Sequence, residues 1–489
     1  MRHAVPAVAG AACVFGFAPF YAWPVPILAL AALFAAWERT ATPRMAALDG
    51  LLFGLGYFIG GVSWVYVSMH DFGSMPAVLA ALATFLFCLY LALFPALAGW
   101  LARRLAARNP ASILLMSAAA FSACEWLRGW LFSGFPWITL GNSQVPSSPL
   151  AGFVPLAGAY GVTLVAALVA ALFAAAARPF SARSARIRVL AVAVAIFALG
   201  GALRLFDWGE RAGPPVRVAL LQGNVPQELK WREETRTRTL LEYRRMIFEA
   251  DAKVVVLPET ALPAFFDQIP YDYLEGIRQH AAATGKDILM GIVERESHNN
   301  AESDYYNSLA RITGERQVYR KRHLVPFGEF IPPGFRFVLA VLKIPLSDFA
   351  SGGKGQPPLE AGGTSFGVAI CYEDIFGEEV IDQLPRAQAL VNVSNDAWFG
   401  NSLAAEQHLQ SSQVRALETS RWMVRATNTG ATAVVDEKGY VVSSLRPFTQ
   451  GILVTDLTPR KGQTPYVLFG NLVALAATAA LAGIAWRIR

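Results

Sequence analysis

Charge is scarce in this chain. Asp, Glu, Lys and Arg make up 16% of 489 residues, against 54% that are apolar. The scarcity is uneven: residues 1–205 and 466–486 are runs of Ala, Leu, Val, Phe and Gly, whereas 206–460 hold most of the acids and lysines. Two long apolar regions of this kind exclude an ordinary soluble body for the whole chain. Cysteine is scarce too. Cys13, Cys88 and Cys124 lie in apolar runs and Cys371 alone lies in 206–460, so no disulfide can close within that region. The net charge of +6 is modest and no Lys/Arg stripe alternates with aromatics, which argues against nucleic acid as a partner. His323 and His408 lack partners at metal-ligand spacing. Glycine signatures for phosphates or dinucleotides are missing; "GLG" at 54–56 lies inside an apolar run and is a weak match. No metal and no cofactor is expected.

What is present, first, is a set of apolar stretches of membrane-crossing composition: 4–19, 24–37, 46–69, 76–101, 111–132, 151–177, 187–204 and 466–486. A span needs roughly 20 residues, so eight spans are expected, or seven where the short first two are pieces of one hairpin around Phe20–Trp23. The opening "MRHAVPAVAGAAC" has the flavour of a signal peptide, but apolar sequence continues beyond Cys13, and a retained first span is expected. Arginine sets the orientation. With the N-terminus inside, the inner loops carry Arg39 and Arg44, then Arg103, Arg104 and Arg108, then Arg178, Arg183, Arg186 and Arg188, and the tail carries Arg487 and Arg489; the opposite loops, 20–23, 70–76 and 133–150, carry no Lys or Arg. By the positive-inside rule both termini are cytoplasmic and 206–460 is exported. The expected organisation is transmembrane helices over 1–205, an exported domain over 206–460, and a last span with a cytoplasmic tail over 461–489. Ser63, Glu125 and Arg128 are polar groups in or beside spans, and Glu125 and Arg128 are spaced to pair on one helix.

From Val216 the pattern changes. "VRVALLQGN", "KVVVLPE", "DILMGIVE", "YYNSLARIT", "SFGVAIC", "ALVNVSND", "TAVVD" and "ILVTD" read as strands, and 228–249, 271–284 and 404–426 as amphipathic helices. Alternation of this sort predicts an α/β layered fold. Residues 343–363, rich in Gly and Pro, read as a long loop, a candidate lid.

Three segments carry candidate chemistry. "VVVLPETALP" places Glu259 just after a buried strand, "YRKRHLVPFGEF" leads from a basic cluster to Glu329, and "GVAICYED" ends a strand at Cys371. Ligand sites in α/β folds gather at the carboxyl ends of strands. A thiol attacks carbonyl carbon as thiolate, and its ordinary pKa of about 8.5 leaves little ionised at neutral pH. A carboxylate base and a nearby cation supply what it lacks, the cation also steadying the tetrahedral oxyanion. Spacing does not choose among Arg320, Lys321, Arg322 and His323 for the cation. From the residues alone, the reading is a cysteine acyltransferase or amidase.

These segments resemble the Glu-Lys-Cys triad of the nitrilase superfamily. The apolar spans resemble those of the bacterial apolipoprotein N-acyltransferases, and matching stretches run the whole length: "FAPF" with Trp23–Pro24, "SWVYVSMHDFGSMP", "RGWLFSGFPW", "QGNVPQELKW", "PETALP", "HLVPFGEFIP", "CYEDIF" and "NVSNDAWFG". The resemblance implies a multi-pass helical membrane domain joined to an αββα nitrilase-like sandwich. It implies an inner-membrane enzyme that moves an acyl chain from the sn-1 position of a phospholipid, typically phosphatidylethanolamine, through a Cys371 thioester. The acceptor it implies is the α-amine of a diacylglyceryl-cysteine at the N-terminus of an apolipoprotein, the last step of lipoprotein maturation. Glu259 would then be general base and Lys321 would hold the oxyanion. Glu329 and Glu373 would support them, and Tyr372 and Trp231 would lie near the acyl or substrate path. Trp398 and Phe399 of "SNDAWFG" would line the pocket. Shielding from water by the lipid-facing site and the 343–363 loop would favour transfer over hydrolysis. A membrane-tethered amidase is the alternative that shares the same triad.

Overall fold

The computed structural model describes residues 3–107, 109–178, 182–297, 303–332 and 348–488. The chain divides into two compact units. One comprises Met1–Tyr66, Pro76–Asp207 and Thr464–Arg489, the other Val67–Met75 and Trp208–Gln463.

The first unit is helical. Each of the eight expected apolar stretches carries a helix, and among the described residues five segments are long and apolar enough to cross a bilayer: Pro43–Val62, Ala77–Leu105, Pro110–Arg128, Pro149–Ala176 and Arg183–Leu203. Ala4–Cys13, Pro24–Arg39 and Leu472–Arg487 are shorter. Proline at the first turn starts four of these segments, at Pro24, Pro43, Pro110 and Pro149, where its missing N–H costs nothing. The side chains of Thr42 and Asn109 cap two of them, accepting from Met45 N at 3.3 Å and Ser112 N at 2.8 Å. The "GLG" run has a packing role: a Cβ on Gly54 would stand 2.7 Å from Cα of Ala92, so its glycine lets two helices meet backbone to backbone. Glu125 and Arg128 pair on one helix at 3.5 Å. Glu125 also accepts from Leu140 N (2.8 Å) and Thr163 Oγ1 (2.6 Å), and Arg128 donates to Trp137 O (3.0 Å). The ion pair thus satisfies the non-helical backbone that follows its own helix, as irregular chain among apolar helices requires.

The second unit is a four-layer sandwich. One six-stranded sheet has the order β13 (Gly451–Leu457), β2 (Val216–Gln222), β3 (Val254–Val256), β4 (Asp287–Ser297), β5 (Ser303–Arg311), β6 (Gln317–Arg320). The other runs β12 (Val441–Ser444), β11 (Ala433–Val435), β10 (Met423–Thr427), β9 (Ala389–Ser394), β8 (Thr364–Ile370), β7 (Leu359–Ala361). A two-residue pair, β1 (Glu210–Arg211) with β14 (Arg460–Lys461), stands apart. Both large sheets are buried on two faces, which is why their central strands are near-continuous apolar runs. Period 2 sends Val218 and Leu220 of β2 into the layer between the sheets, beside Val368, Ile370, Val391 and Val424. Ala219 and Leu221 point the other way, onto Tyr243, Met246 and Ile277 of the helices Glu233–Glu249 and Tyr271–Thr284. The helix Ala404–Thr419 covers the second sheet through Leu409 and Ala416.

Three boundaries differ from expectation. The helix expected over 228–249 begins only at Glu233. The helix expected over 404–426 stops at Thr419, because Ser420 turns left-handed (φ 52°) and Met423–Thr427 becomes a central strand. Of the expected loop 343–363, residues 343–347 lie outside the described residues, and its end is strand β7, paired antiparallel with β8.

Candidate active site

Strand directions bring the three segments to one edge. β2, β3 and β4 are mutually parallel, as are β8, β9 and β10. β6 reaches the same direction as β4 through two antiparallel pairings with β5. Glu259 follows β3, Lys321 follows β6 and Cys371 follows β8, so all three stand at strand carboxyl ends.

Lys321 is buried (1% exposed). Its ammonium lies 2.8 Å from Glu329 and 3.6 Å from Glu259 Oε1. Asn307 joins the two acids, donating to Glu259 at 2.7 Å and Glu329 at 3.0 Å. Glu259 Oε2 accepts from Asn395 N at 2.8 Å, and Glu329 from Val325 N at 2.9 Å. Alternation selects the lysine. Arg320 points outward to Glu294 and Glu296, Arg322 pairs with Glu379 and Asp382, and His323 meets Glu379 and stacks on Phe376.

Cys371 is half-buried and left-handed, with φ 53°. Thr260, next to Glu259, and Phe327, near Glu329, are left-handed as well (φ 44° and 62°). Non-glycine residues in this region store strain and cluster where function needs a side chain held out of a turn. Glu373 braces the Cys371 turn. Its carboxylate accepts from Ile370 N (2.6 Å), Arg322 N (2.6 Å), His323 N (3.1 Å) and the Tyr319 hydroxyl (3.3 Å). One buried acid therefore ties the end of β8 to the end of β6.

The electrostatics follow from burial. Burial, then the nearby Glu259 carboxylate, push the Cys371 thiol well above its ordinary value, with Lys321 opposing. The thiol is thereby held neutral, and any reaction at its sulfur requires a group that removes the proton. Burial alone would lower the Lys321 ammonium, but Glu329 and Glu259 outweigh it and keep the lysine charged. Burial raises Glu373 to about 7, against the amide donors and Lys321.

Comparison with known proteins matches two family models to the chain. The apolipoprotein N-acyltransferase N-terminal domain model matches residues 9–172, and the carbon-nitrogen hydrolase model matches 217–466. An apolipoprotein N-acyltransferase from Nitrosomonas europaea is 48% identical over 96% of this chain and 93% of its own. Its counterpart from Methylococcus capsulatus is 44% identical over 97% and 94%. The chain belongs to the apolipoprotein N-acyltransferase family. It is a membrane enzyme of the N-acyltransferase kind on a carbon-nitrogen hydrolase fold.

Within this family member the other sequence-predicted residues divide. Glu329 and Glu373 join the cluster. Tyr372 is buried, its ring 5.1 Å from Phe376 and 5.7 Å from His323. Trp398 and Phe399 are half-buried; the Trp398 carbonyl accepts from Ser68 Oγ at 2.7 Å and its ring meets Phe72 at 6.1 Å. Trp231 is 38% exposed and outside the hydrogen-bonded cluster. Its neighbour Lys230, which sequence reasoning passed over, is buried and donates to Thr260 Oγ1 at 2.7 Å and the Glu259 carbonyl at 3.4 Å. Burial lowers Lys230 to about 8, with Glu259 opposing. Asn307 and Asn395 were missed as well. The signals were polar residues inside apolar strand-like runs, where a side chain must find a partner.

Proposed function

We propose that this protein moves an acyl chain from the sn-1 position of a phospholipid such as phosphatidylethanolamine to the α-amine of an S-diacylglyceryl-cysteine at the N-terminus of an apolipoprotein. The supporting observation is that a thiol, a buried carboxylate and a buried lysine paired with two acids all stand at strand carboxyl ends of the two large sheets, in a chain of this family. Glu259 takes the Cys371 proton as sulfur bonds to the ester carbonyl carbon. The Lys321 ammonium offsets the oxyanion, an effect of about 3–4 kcal/mol for a good donor. Collapse breaks the carbon–oxygen bond, the glycerol oxygen takes the proton from Glu259 and lysophospholipid leaves. The acceptor amine then attacks the thioester, gives its proton to Glu259, and the Cys371 sulfur leaves and recovers a proton. Glu329 holds Lys321, Glu373 holds the Cys371 turn, and Tyr372, Trp231, Trp398 and Phe399 flank the acyl or acceptor path. We place the enzyme in the bacterial inner membrane, residues 206–460 on the periplasmic side and both termini cytoplasmic, on the arginine asymmetry of the loops.

The test is to supply the full-length protein with acyl-labelled phosphatidylethanolamine and a diacylglyceryl-cysteine peptide. N-acylated peptide and lysophospholipid in equal amounts are expected. Free fatty acid without acylated peptide would make it a hydrolase.

A further inference from the structure

The groups of the proposed transfer come from both large sheets. Lys321 follows β6 of the first and Cys371 follows β8 of the second. β6 is the last strand of its sheet, with β5 on one side and, among the described residues, no strand on the other. A cation that must be held to within about 0.5 Å therefore hangs from an edge strand, whose outer N–H and C=O groups need partners.

Residues 349–356 supply them. The Gln356 side-chain amide donates from Nε2 to Arg320 O at 2.7 Å and accepts at Oε1 from Arg320 N at 2.8 Å. One side chain makes both bonds that a further strand would make to that residue. The next two carbonyls are taken in turn: Gly352 N donates to Lys321 O at 2.8 Å, and Ser351 Oγ to Arg322 O at 2.7 Å. Phe349 N donates to Glu329 O at 2.9 Å. The segment thus grips three successive carbonyls around the lysine, and the backbone of the acid that anchors its ammonium. Gly352 has a steric reason to be glycine, since a Cβ there would stand 2.3 Å from Arg320 O and 2.5 Å from Arg320 Cβ.

The same segment leads into the second sheet. Three residues past Gln356 the chain enters β7, which pairs antiparallel with β8, the strand that ends at Cys371. β6 answers from its other end, where Gln317 Oε1 accepts from Glu360 N of β7 at 2.8 Å. Two glutamines therefore tie both ends of a four-residue edge strand to one stretch of chain, 356–360. We infer that Gln356 is a positioning residue, with Gly352 giving its segment the close approach it needs: the amide fixes the end of β6 so that the Lys321 ammonium stays in place for the carbonyl that Cys371 attacks. The inference rests on the reading of Lys321 as the group that meets the oxyanion. Its effect falls on the rate of the chemical step and not on the hold on lipid, because a cation that meets only developing charge adds nothing to the ground state.

The test is single-turnover acylation of Cys371 by phosphatidylethanolamine on the full-length protein, read as the rate at saturating lipid and the lipid concentration that gives half of it. Gln356→Ala loses both bonds. Its saturating rate should fall about 10- to 100-fold, the scale of a group misplaced by roughly 1 Å, with the half-saturating concentration unchanged. Gln356→Glu is the conservative variant. Ionised, its carboxylate accepts from Arg320 N but faces Arg320 O without a proton; protonated, it offers the donor and the acceptor of the amide. The Arg320 guanidinium turns away to Glu294 and Glu296. The rate of Gln356→Glu relative to wild type should therefore climb as pH falls from 8 to 5. A wild-type rate in Gln356→Ala, a rise in half-saturation that accounts for the loss, or a flat ratio in Gln356→Glu would overturn the inference. Should Gln356→Ala not accumulate folded, the pH profile of Gln356→Glu decides alone. Lys321→Met separates the two readings. Wild-type acylation in that variant would end the role of Lys321 and the inference with it, whereas its loss beside a normal Gln356→Ala would end the positioning role only.

Discussion

Lys321 and Glu259 stand 3.6 Å apart, while the same lysine stands 2.8 Å from Glu329. The shorter contact anchors the ammonium; the longer one leaves Glu259 anchored instead by Asn307 and the Asn395 amide. Ammonium and carboxylate are therefore held by different partners, and in the proposed mechanism each acts on the carbonyl centre without releasing the other. Replacing Glu329 by Gln removes the nearer charge from a buried lysine that two acids keep ionised. The expected result is a fall in acyl transfer of about 10- to 1,000-fold, on the scale of losing one oxyanion donor, with little change in the amount of folded protein. Transfer at the wild-type rate would remove Glu329 from the lysine's support.

The left-handed turn at Cys371 separates chemistry from stability. Cys371→Ala and Cys371→Gly should both abolish transfer. The glycine variant should unfold later than the alanine variant by about 1 kcal/mol, since φ 53° costs alanine and not glycine. Thermal unfolding in detergent measures the difference. Equal midpoints would mean that the turn relaxes when the thiol is gone.

Glu373 gives the folded protein a pH signature. Its pKa rises from 4.5 to about 7, so between those values the native state holds a proton that the unfolded chain has released. Stability from this group is full below pH 4.5 and is lost as pH rises through 7, at about 1.4 kcal/mol per pH unit within the window. Glu373→Gln should abolish that slope. The difference between the unfolding midpoints of the two proteins should change as pH rises from 5 to about 7 and stay constant from there to 8; parallel lines throughout would contradict the assignment.

Lys230 anchors the turn that carries Glu259. Lys230→Met removes the 2.7 Å bond to Thr260 and should lower the acylation rate of Cys371 about 10-fold, the scale of a lost charged hydrogen bond. Thiol alkylation should slow with it if Glu259 is the base. An unchanged acylation rate would show that Thr260 keeps its left-handed turn unaided.

The pair Glu125 and Arg128 is a test in the helical unit. Arg128→Met leaves Glu125 buried without its cation and should cost about 3–5 kcal/mol. Joint replacement of both residues should cost less than the sum of the single changes. Additive losses would mean that each residue acts only through its own backbone partners.

Much of this was legible in the residues. Period-2 runs such as "VRVALLQ" and "GVAI" mark strands whatever surrounds them, and apolar length marks the helices. Glu259 and Cys371 were visible because each directly follows such a run. Lys321 was not separable from its basic neighbours by spacing; the pleat of β6 sends it inward and Arg320 outward. The helix Ala404–Thr419 misled at its end because Ser420 has no sequence mark of a left-handed stop as plain as glycine, and the next apolar residues suit either period. That helix also buries Gln407, His408, Gln410, Ser412 and Gln413. A polar face that deep can be read only once its partners Asp374, Asp396 and Arg425 are in place, and they come from three other segments.

The most direct measurement is the mass of the Cys371 peptide after the protein is given phospholipid and no acceptor. One added acyl chain, released by neutral hydroxylamine and absent in Cys371→Ala, is the predicted result. Unmodified Cys371 under single-turnover conditions, with acyl transfer still proceeding once acceptor is added, would contradict the thioester.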